Sequence, residues 1–439
     1  MKATLLLALL WGLPLAAQTL TIKPDDGPQS PTSVHQAYPV QSSTDLSAWE
    51  PFDLLRVGDG TPARILVSAE DSPKYFQLAV NDVRNLNDLL EPIRTANRVP
   101  ALACAVILSN RVVGLGSVGL RKSDVDSAPV TPNDKWHHGS LTKSMTANLA
   151  AILVQRGTVR WETTLEEVFP ELAGSMKPAW RTVRLDWLCS NRAGAPEDLN
   201  PSGIWAQLMN FRGTPFEGRR LLLQRLTQTE PTSTPGTAYE YSNAGFALAG
   251  HMLETVAGKP WEELLTENLF KPLGMTSAGF GVPATPRHID QPWGHQRISG
   301  NNVPIEPGPS ADNPPAIGPA GSVHCSLLDL AKYAAFHVRG HLVDTPLLPR
   351  DVVVQLHTAV PNNEGYGYGW NVTSRPWANG LAINHAGSNL QWYSVIWMAP
   401  NRQFAVVSLC NIAAPSGTNP GAVATDQVAA KMIQTFLTQ

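Results

Sequence analysis

Apolar residues follow a helical spacing near residue 80 and form strand-like runs directly after it. Between Phe76 and Pro100 they recur every three or four positions, which predicts a helix over this stretch. The next segment, LACAVILSNRVVGLGSVG, contains two β-rich runs on either side of Ser109 and Asn110. Two such runs around a short polar turn predict a β-hairpin.

Three more β-rich runs lie near the C-terminus: LAINHAG, QWYSVIWMA and QFAVVSLCN. The last two flank a turn at Pro400–Arg402, and a helical pattern follows from about Gly421 to Phe436. Strands are therefore expected at both ends of the chain, with a final helix that covers one face of the sheet they form.

The middle of the chain, residues 136–364, has mostly helical patterns, with a long Pro-rich loop predicted over 301–320. We predict an α+β fold, an α/β sandwich, in which one antiparallel sheet is built from the N- and C-terminal strands and flanked by helices. The sheet region is expected at about 76–135 and 365–439, with the helical region between them.

The first residues, MKATLLLALLWGLPLAAQTL, combine a lysine, an apolar run and small residues. This order predicts a signal peptide over residues 1–18 and export to the periplasm or the medium. A segment rich in Pro, Ser, Thr and Asp follows and predicts a linker or N-terminal arm over 19–75, before a hydrolase domain over 76–439. No later stretch is apolar enough to predict an integral membrane segment in the mature chain.

Composition argues against several classes of protein. The net charge is −3 and no long run has one sign, so neither nucleic acid nor an anionic membrane is expected as a partner. The four cysteines are widely spaced, and the adjacent His137 and His138 have no HExxH or HxHxD pattern around them. We predict no metal site and no organic cofactor.

Ser140 and Lys143 lie one helical turn apart in HHGSLTKSMTANLAAILVQRG. A serine at a helix start lies near unpaired backbone N–H groups, and a lysine three positions on can reach its oxygen. The lysine can act as a base only if burial or a nearby cation lowers its pKa from about 10.4. The alternative is a helix-capping serine beside a solvated lysine.

Two further stretches carry candidate chemistry. Tyr241 and Asn243 follow a Pro-Gly turn, and such a tyrosine can exchange a proton with a serine oxygen or a leaving group. His385, Gly387 and Ser388 end a predicted strand, where a glycine permits close backbone approach. The N–H of Ser388, paired with that of Ser140, predicts an oxyanion hole. The alternatives are a satisfied Tyr-x-Asn loop and an edge-strand histidine.

These three stretches, in this order, resemble the serine beta-lactamase and penicillin-binding-protein superfamily. The branch they resemble is the class C beta-lactamase-related group, which includes family VIII carboxylesterases, D-stereospecific aminopeptidases and D-alanyl-D-alanine carboxypeptidases. DKWHHGSLTKSMTA, PGTAYEYSNAGFALAGHMLETVAGKPWEELLTENLFKPLGM, GPAGSVHCSLLDLAKYAAF and YGYGWNV add to the likeness, which covers roughly residues 80 to 439.

The resemblance implies a role for each matching residue. It makes Ser140 the acylated nucleophile, Lys143 the lysine that helps to deprotonate it and Tyr241 the proton shuttle to the leaving group. Asn243 matches the family's asparagine, which holds the lysine amine and the substrate. The remaining matches are His385, Gly387 and Ser388, and the resemblance makes Ser388 the donor of the second oxyanion N–H.

Two departures from the family pattern bear on the substrate. His385-Ala-Gly387 replaces the Lys-Thr-Gly of class C beta-lactamases, which removes a permanent positive charge for a substrate carboxylate. In SNRAG, Asn191 and Ala193 replace the His and Ser of a His-x-Ser-Gly stretch, a change in a supporting loop.

We therefore expect an exported serine hydrolase, a carboxylesterase on small esters. The alternatives are a D-stereospecific aminopeptidase or carboxypeptidase, a beta-lactamase and, from another class, a non-catalytic protein that binds cell-wall peptides. The expected partner is a small ester, amide or peptide substrate.

Overall fold

The computed structural model describes residues 83–123, 127–363 and 365–437, together with short strands before residue 83. The predicted signal peptide (1–18) and arm (19–75) fall almost entirely outside the described residues. The short strands before residue 83 are Leu6–Leu7, Gln18–Ile22, Gln36–Ala37, Val40–Ser43, Glu50–Pro51, Ala63–Val67, Tyr75–Leu78 and Asn81–Asp82.

A seven-stranded sheet forms the centre of the fold. Its strands are β1 (Arg84–Asn85), β2 (Ala101–Leu108), β3 (Arg111–Gly119), β4 (Asn371–Arg375), β5 (Gly380–Ser388), β6 (Tyr393–Ala399) and β7 (Phe404–Cys410). Their order is β4-β5-β6-β7-β2-β3-β1, antiparallel except for the parallel pair of β3 and β1. Strands from the two ends of the chain meet where β2 pairs with β7, which confirms the predicted architecture.

The predicted hairpin is confirmed by its backbone angles. Ser109 and Asn110 join β2 to β3 with φ of 49° and 61°. A two-residue turn with both φ values positive is the type I′ turn, whose twist matches that of the paired strands. The local sequence thus determines the register of β2 and β3 next to the turn, up to the irregularity between Val106 and Ile107.

Helices cover both faces of the sheet. The long ones that matter here are α1 (Asn87–Asn97), α2 (Thr142–Gln155), α3 (Asn243–Ala257), α4 (Leu327–Gly340) and α5 (Pro420–Leu437). Helices α1 and α5 lie on one face of the sheet, while α4 and the helical region lie on the other. Alternate residues of β2 supply both cores, because side chains along a strand point to opposite faces.

The remaining elements complete the described part of the chain. The other helices are Leu165–Val168, Pro178–Arg181, Leu185–Cys189, Ile204–Met209, Pro215–Leu226, Trp261–Leu265, Gly318–Gly321 and Arg350–Leu356, with a short π-helix at Thr266–Phe270. The 3₁₀ turns are Gly139–Leu141, Ala173–Ser175, Pro309–Ala311, Pro315–Ile317, Pro376–Ala378 and Pro400–Arg402. The remaining strands are Lys135–His137, Gly279–Phe280, Gly294–Ile298, Asn301–Ile305 and Val323–Ser326.

Two local predictions are wrong. The helix predicted from Phe76 begins only at α1, because the chain first runs beside β3, with the Leu86 N–H donating to the Leu115 carbonyl at 3.0 Å. The Pro-rich stretch over 301–320 is not a plain loop, since it opens with a strand that pairs with Gly294–Ile298 and continues in helical turns. Proline fits an edge strand and the first turn of a helix, so it does not forbid either.

No helix within the described ranges has both the length and the apolar composition needed to cross a bilayer.

Candidate active site

Ser140 lies in a 3₁₀ turn that leads directly into α2 and faces the end of β5. The preceding Gly139 has φ of 51°, a conformation that glycine adopts without strain. A Cβ atom at this position would lie 2.7 Å from the Ser388 Cα atom. This distance is shorter than a non-bonded contact of a Cβ atom, so the backbones at residues 139 and 388 can meet only because residue 139 is glycine.

The Lys143 side chain is completely buried beside Ser140. Its Nζ lies 3.1 Å from Ser140 Oγ, 2.6 Å from Asn243 Oδ1 and 2.9 Å from the Ala320 carbonyl oxygen. Burial lowers the pKa of this amine well below its ordinary value. The alternative of a solvated lysine is therefore wrong.

The contacts of Lys143 suit a neutral amine. A neutral amine has two N–H donors and one lone pair, whereas an ammonium has three donors and no acceptor. The carbonyl oxygens of Asn243 and Ala320 accept the two donors, which leaves the lone pair towards Ser140 Oγ. In this arrangement the serine hydroxyl can donate to the amine, the geometry that proton transfer requires.

Tyr241 also contacts Ser140. Its hydroxyl donates to Ser140 Oγ at 2.6 Å, and Lys143 Nζ lies 4.6 Å from the centre of its ring. Burial raises the pKa of Tyr241 to about 12, an effect that the Ser140 hydrogen bond opposes and the Glu197 carboxylate reinforces. The phenol therefore keeps its proton near neutral pH and is suited to act as an acid.

The end of β5 carries His385, Gly387 and Ser388. This strand lies between β4 and β6, so the alternative of an edge-strand histidine is wrong. A Cβ atom at Gly387 would lie 2.6 Å from Leu141 N and 2.7 Å from Ser140 N. The backbone N–H groups of Ser140 and Ser388 thus belong to segments in direct contact, as an oxyanion hole requires.

His385 is neutral in this environment. It is 3% exposed, and its Nδ1 lies 2.7 Å from the Ala386 carbonyl oxygen, to which that nitrogen can donate a proton. Burial is the main cause that lowers the pKa of His385 to about 3. The imidazole therefore offers no positive charge to a substrate near neutral pH.

Two supporting groups had no role in the predicted site. The Ala320 carbonyl, from Gly318–Gly321, is one of the three partners of Lys143. Asn191 accepts the Glu240 N–H with its carbonyl at 2.7 Å and the Ser242 N–H with its side chain at 3.1 Å. It thereby holds the backbone on both sides of Tyr241, with its own φ at 56°. The sequence signal for this role was that Asn191 departs from the family pattern.

The remaining candidate groups have other partners. His137 Nε2 lies 3.1 Å from an Asp312 carboxylate oxygen, and His138 Nε2 lies 3.0 Å from Cys325 Sγ. Within the described ranges no group of three or more His, Cys, Asp or Glu residues is placed to hold a metal ion. All four cysteines are free and buried.

Comparisons with known proteins show the family and the fold of this chain. Residues 86–430 match the family model described as Beta-lactamase. The chain is 24% identical to penicillin-binding protein 4 of Amycolatopsis lactamdurans, covering 75% of this chain and 85% of that protein. It is 23% identical to a beta-lactamase of Pseudomonas fluorescens, covering 76% and 88%. Its fold resembles that of a D-amino acid amidase from Ochrobactrum anthropi SV3, with a TM-score of 0.63, 20% identity and coverage of 80% and 97%.

Proposed function

Because the chain belongs to the Beta-lactamase family, we propose that it is a serine hydrolase that forms an acyl-enzyme at Ser140 and acts as a carboxylesterase on small esters. The observation that carries the proposal is the completely buried Lys143 amine, 3.1 Å from Ser140 Oγ. A protein that only bound peptides would have no use for an amine that the fold keeps from its preferred charged state. This argues for turnover over the binding alternative.

The reaction begins when neutral Lys143 takes the proton of Ser140 and Oγ attacks the ester carbonyl carbon. The N–H groups of Ser140 and Ser388 stabilise the oxyanion of the tetrahedral intermediate. As the bond to the leaving alcohol breaks, Tyr241 gives that oxygen its proton and receives the one held by Lys143. Water then hydrolyses the acyl-enzyme, with Lys143 and Tyr241 acting again as base and acid.

The charges around the site favour esters without a carboxylate. A buried carboxylate is costly unless a cation or several hydrogen bonds accompany it. His385 is neutral at the position where class C beta-lactamases have a lysine. The charge near Tyr241 is negative, since the Glu197 carboxylate helps to raise the pKa of Tyr241. Carboxylate-bearing beta-lactams and peptide C-termini therefore rank below neutral esters.

The apolar N-terminal stretch supports export to the periplasm or the medium.

Hydrolysis of p-nitrophenyl butyrate, of a chromogenic cephalosporin and of a D-amino-acid amide, measured side by side, tests the proposal. Wild type should hydrolyse the ester, and Ser140→Ala should abolish turnover while circular dichroism shows an intact fold. Ser175→Ala, at an exposed serine, is the matched control and should behave as wild type. Ester hydrolysis retained in Ser140→Ala would contradict the mechanism. Cephalosporin hydrolysis would favour a beta-lactamase, and turnover of D-amino-acid amides alone would favour an amidase or peptidase.

The role assigned to His385 has a separate test. Replacing His385 with Lys restores the family's positive charge, so use of an ester that carries a carboxylate should rise relative to a neutral ester of similar size. His385→Gln, which is neutral like the wild-type imidazole, is the control and should leave that ratio unchanged. An equal ratio in all three proteins would contradict the charge argument.

A further inference from the structure

Leu390 combines an unfavourable backbone conformation with an exposed apolar side chain. It is 53% exposed, the most exposed large apolar side chain in the part of the chain that the structure describes. Its φ is 69°, and every other non-glycine residue with positive φ in the described ranges is polar. The left-handed conformation crowds Cβ against the backbone and is rare for residues other than Gly, Asn and Asp. Neither feature stabilises the fold.

The structure holds Leu390 firmly in this conformation. Its N–H donates to Ser388 Oγ at 2.9 Å. Its two neighbours are buried and anchored, since Asn389 Nδ2 donates to Asp312 Oδ1 at 3.3 Å and Gln391 Nε2 to the Ala311 carbonyl at 2.9 Å. With both neighbours fixed inwards, the leucine side chain is left projecting from the turn between β5 and β6. Strain that the surroundings impose in this way is typical of functional sites.

The position of this side chain points to the acyl part of the substrate. Leu390 lies two residues after Ser388, so their Cα atoms are at most about 8 Å apart. In the proposed reaction Tyr241 protonates the leaving alcohol, which places that alcohol on the Tyr241 side of Ser140. In the same reaction the Ser388 N–H binds the carbonyl oxygen, so the turn that carries Leu390 lies next to the acyl carbonyl group.

We propose that Leu390 is a specificity-determining residue that packs against the apolar acyl chain of the substrate, so that esters of medium-chain acids are preferred over acetate esters. The inference rests on the proposed function, because it assumes acylation of Ser140. An exposed leucine gains apolar contact when a chain covers it, which offsets its cost in the free protein. An acetyl group is too short to make this contact.

The experiment compares kcat/KM for p-nitrophenyl acetate and octanoate in the wild type, Leu390→Asn and Leu390→Met. Asparagine tolerates positive φ and lacks the apolar contact, so the octanoate-to-acetate ratio should fall roughly tenfold. The midpoint of thermal unfolding should rise by about 1–3 °C as strain is relieved. Methionine keeps the apolar bulk and should keep the ratio within about twofold of wild type.

Val256→Ala is the matched control, since Val256 is 39% exposed at the far end of α3 from Asn243 and should not affect the ratio. If Leu390→Asn hydrolyses esters with the wild-type ratio, the role of Leu390 is refuted while the proposed function stands. If wild type hydrolyses no ester, the proposed function fails and this inference fails with it.

Discussion

Replacing Lys143 with Met removes an amine that the fold buries completely. The pKa of this amine is about 10.4 in the unfolded chain and is lowered by burial in the folded protein. Between the folded and the unfolded value, the unfolded chain binds a proton that the folded protein does not. The free energy of unfolding contributed by Lys143 therefore rises with pH in this range and is lost as pH falls.

The slope follows from the protonation difference. A difference of one bound proton changes the free energy of unfolding by about 1.4 kcal/mol per pH unit. With a folded amine that is neutral throughout, the change between pH 7 and pH 9 is about 2.7 kcal/mol. Lys143→Met also leaves the Asn243 and Ala320 oxygens without their donor, which costs about 1–3 kcal/mol for each group. That cost does not vary with pH, so the slope reports the protonation state of Lys143 alone.

Urea unfolding of wild type and Lys143→Met at pH 7, 8 and 9 measures this slope. The stability of wild type relative to the variant should rise by about 1.4 kcal/mol per unit above the folded pKa. Lys259→Met is the control, because Lys259 is exposed and its pKa is raised by the Glu267 hydrogen bond, so it stays protonated in both states. Parallel stabilities of wild type and Lys143→Met would show a permanently charged lysine and refute its role as the base.

Three further predictions concern neighbouring positions. Gly387→Ala should destabilise the fold by about 3 kcal/mol or more, because the new Cβ would lie within 2.7 Å of three backbone atoms of the 138–141 segment. Gly174→Ala is the control: its Cβ has nothing within 4 Å, so thermal unfolding should show a change of less than about 0.5 kcal/mol. Asn191→Gly tolerates the positive φ and lacks only the side-chain acceptor, so it should lower kcat roughly tenfold with KM little changed, because Asn191 positions the loop of Tyr241. A kcat equal to that of wild type would contradict positioning through that acceptor. Tyr241→Phe should lower kcat by roughly 10²–10⁴. Because burial raises the pKa of Tyr241 to about 12, this factor should stay constant from about pH 6 to about pH 10, and a factor that shrinks above pH 8 would contradict a protonated tyrosine.

The sequence by itself determined the elements whose evidence is local. The hairpin at Ser109 and Asn110, the strands near the C-terminus and α5 follow from spacings of two or 3.6 residues and from turn chemistry. The one-turn spacing of Ser140 and Lys143 is likewise local, since three residues along a helix bring two side chains together wherever the helix lies. The helix predicted from Phe76 failed for a non-local reason, because pairing with β3 competes with helix formation there.

Only the tertiary structure decided the charge states and the strain at the site. Lys143 is buried because Asn243 and the Ala320 carbonyl, 100 and 177 residues away in sequence, close over it. The pKa of His385 is low because the fold buries its side chain, and the φ of Leu390 is positive because its neighbours are anchored to another segment. Periodicity records which face of an element is apolar, whereas desolvation and strain depend on which elements pack together, so these properties appear only in the folded chain.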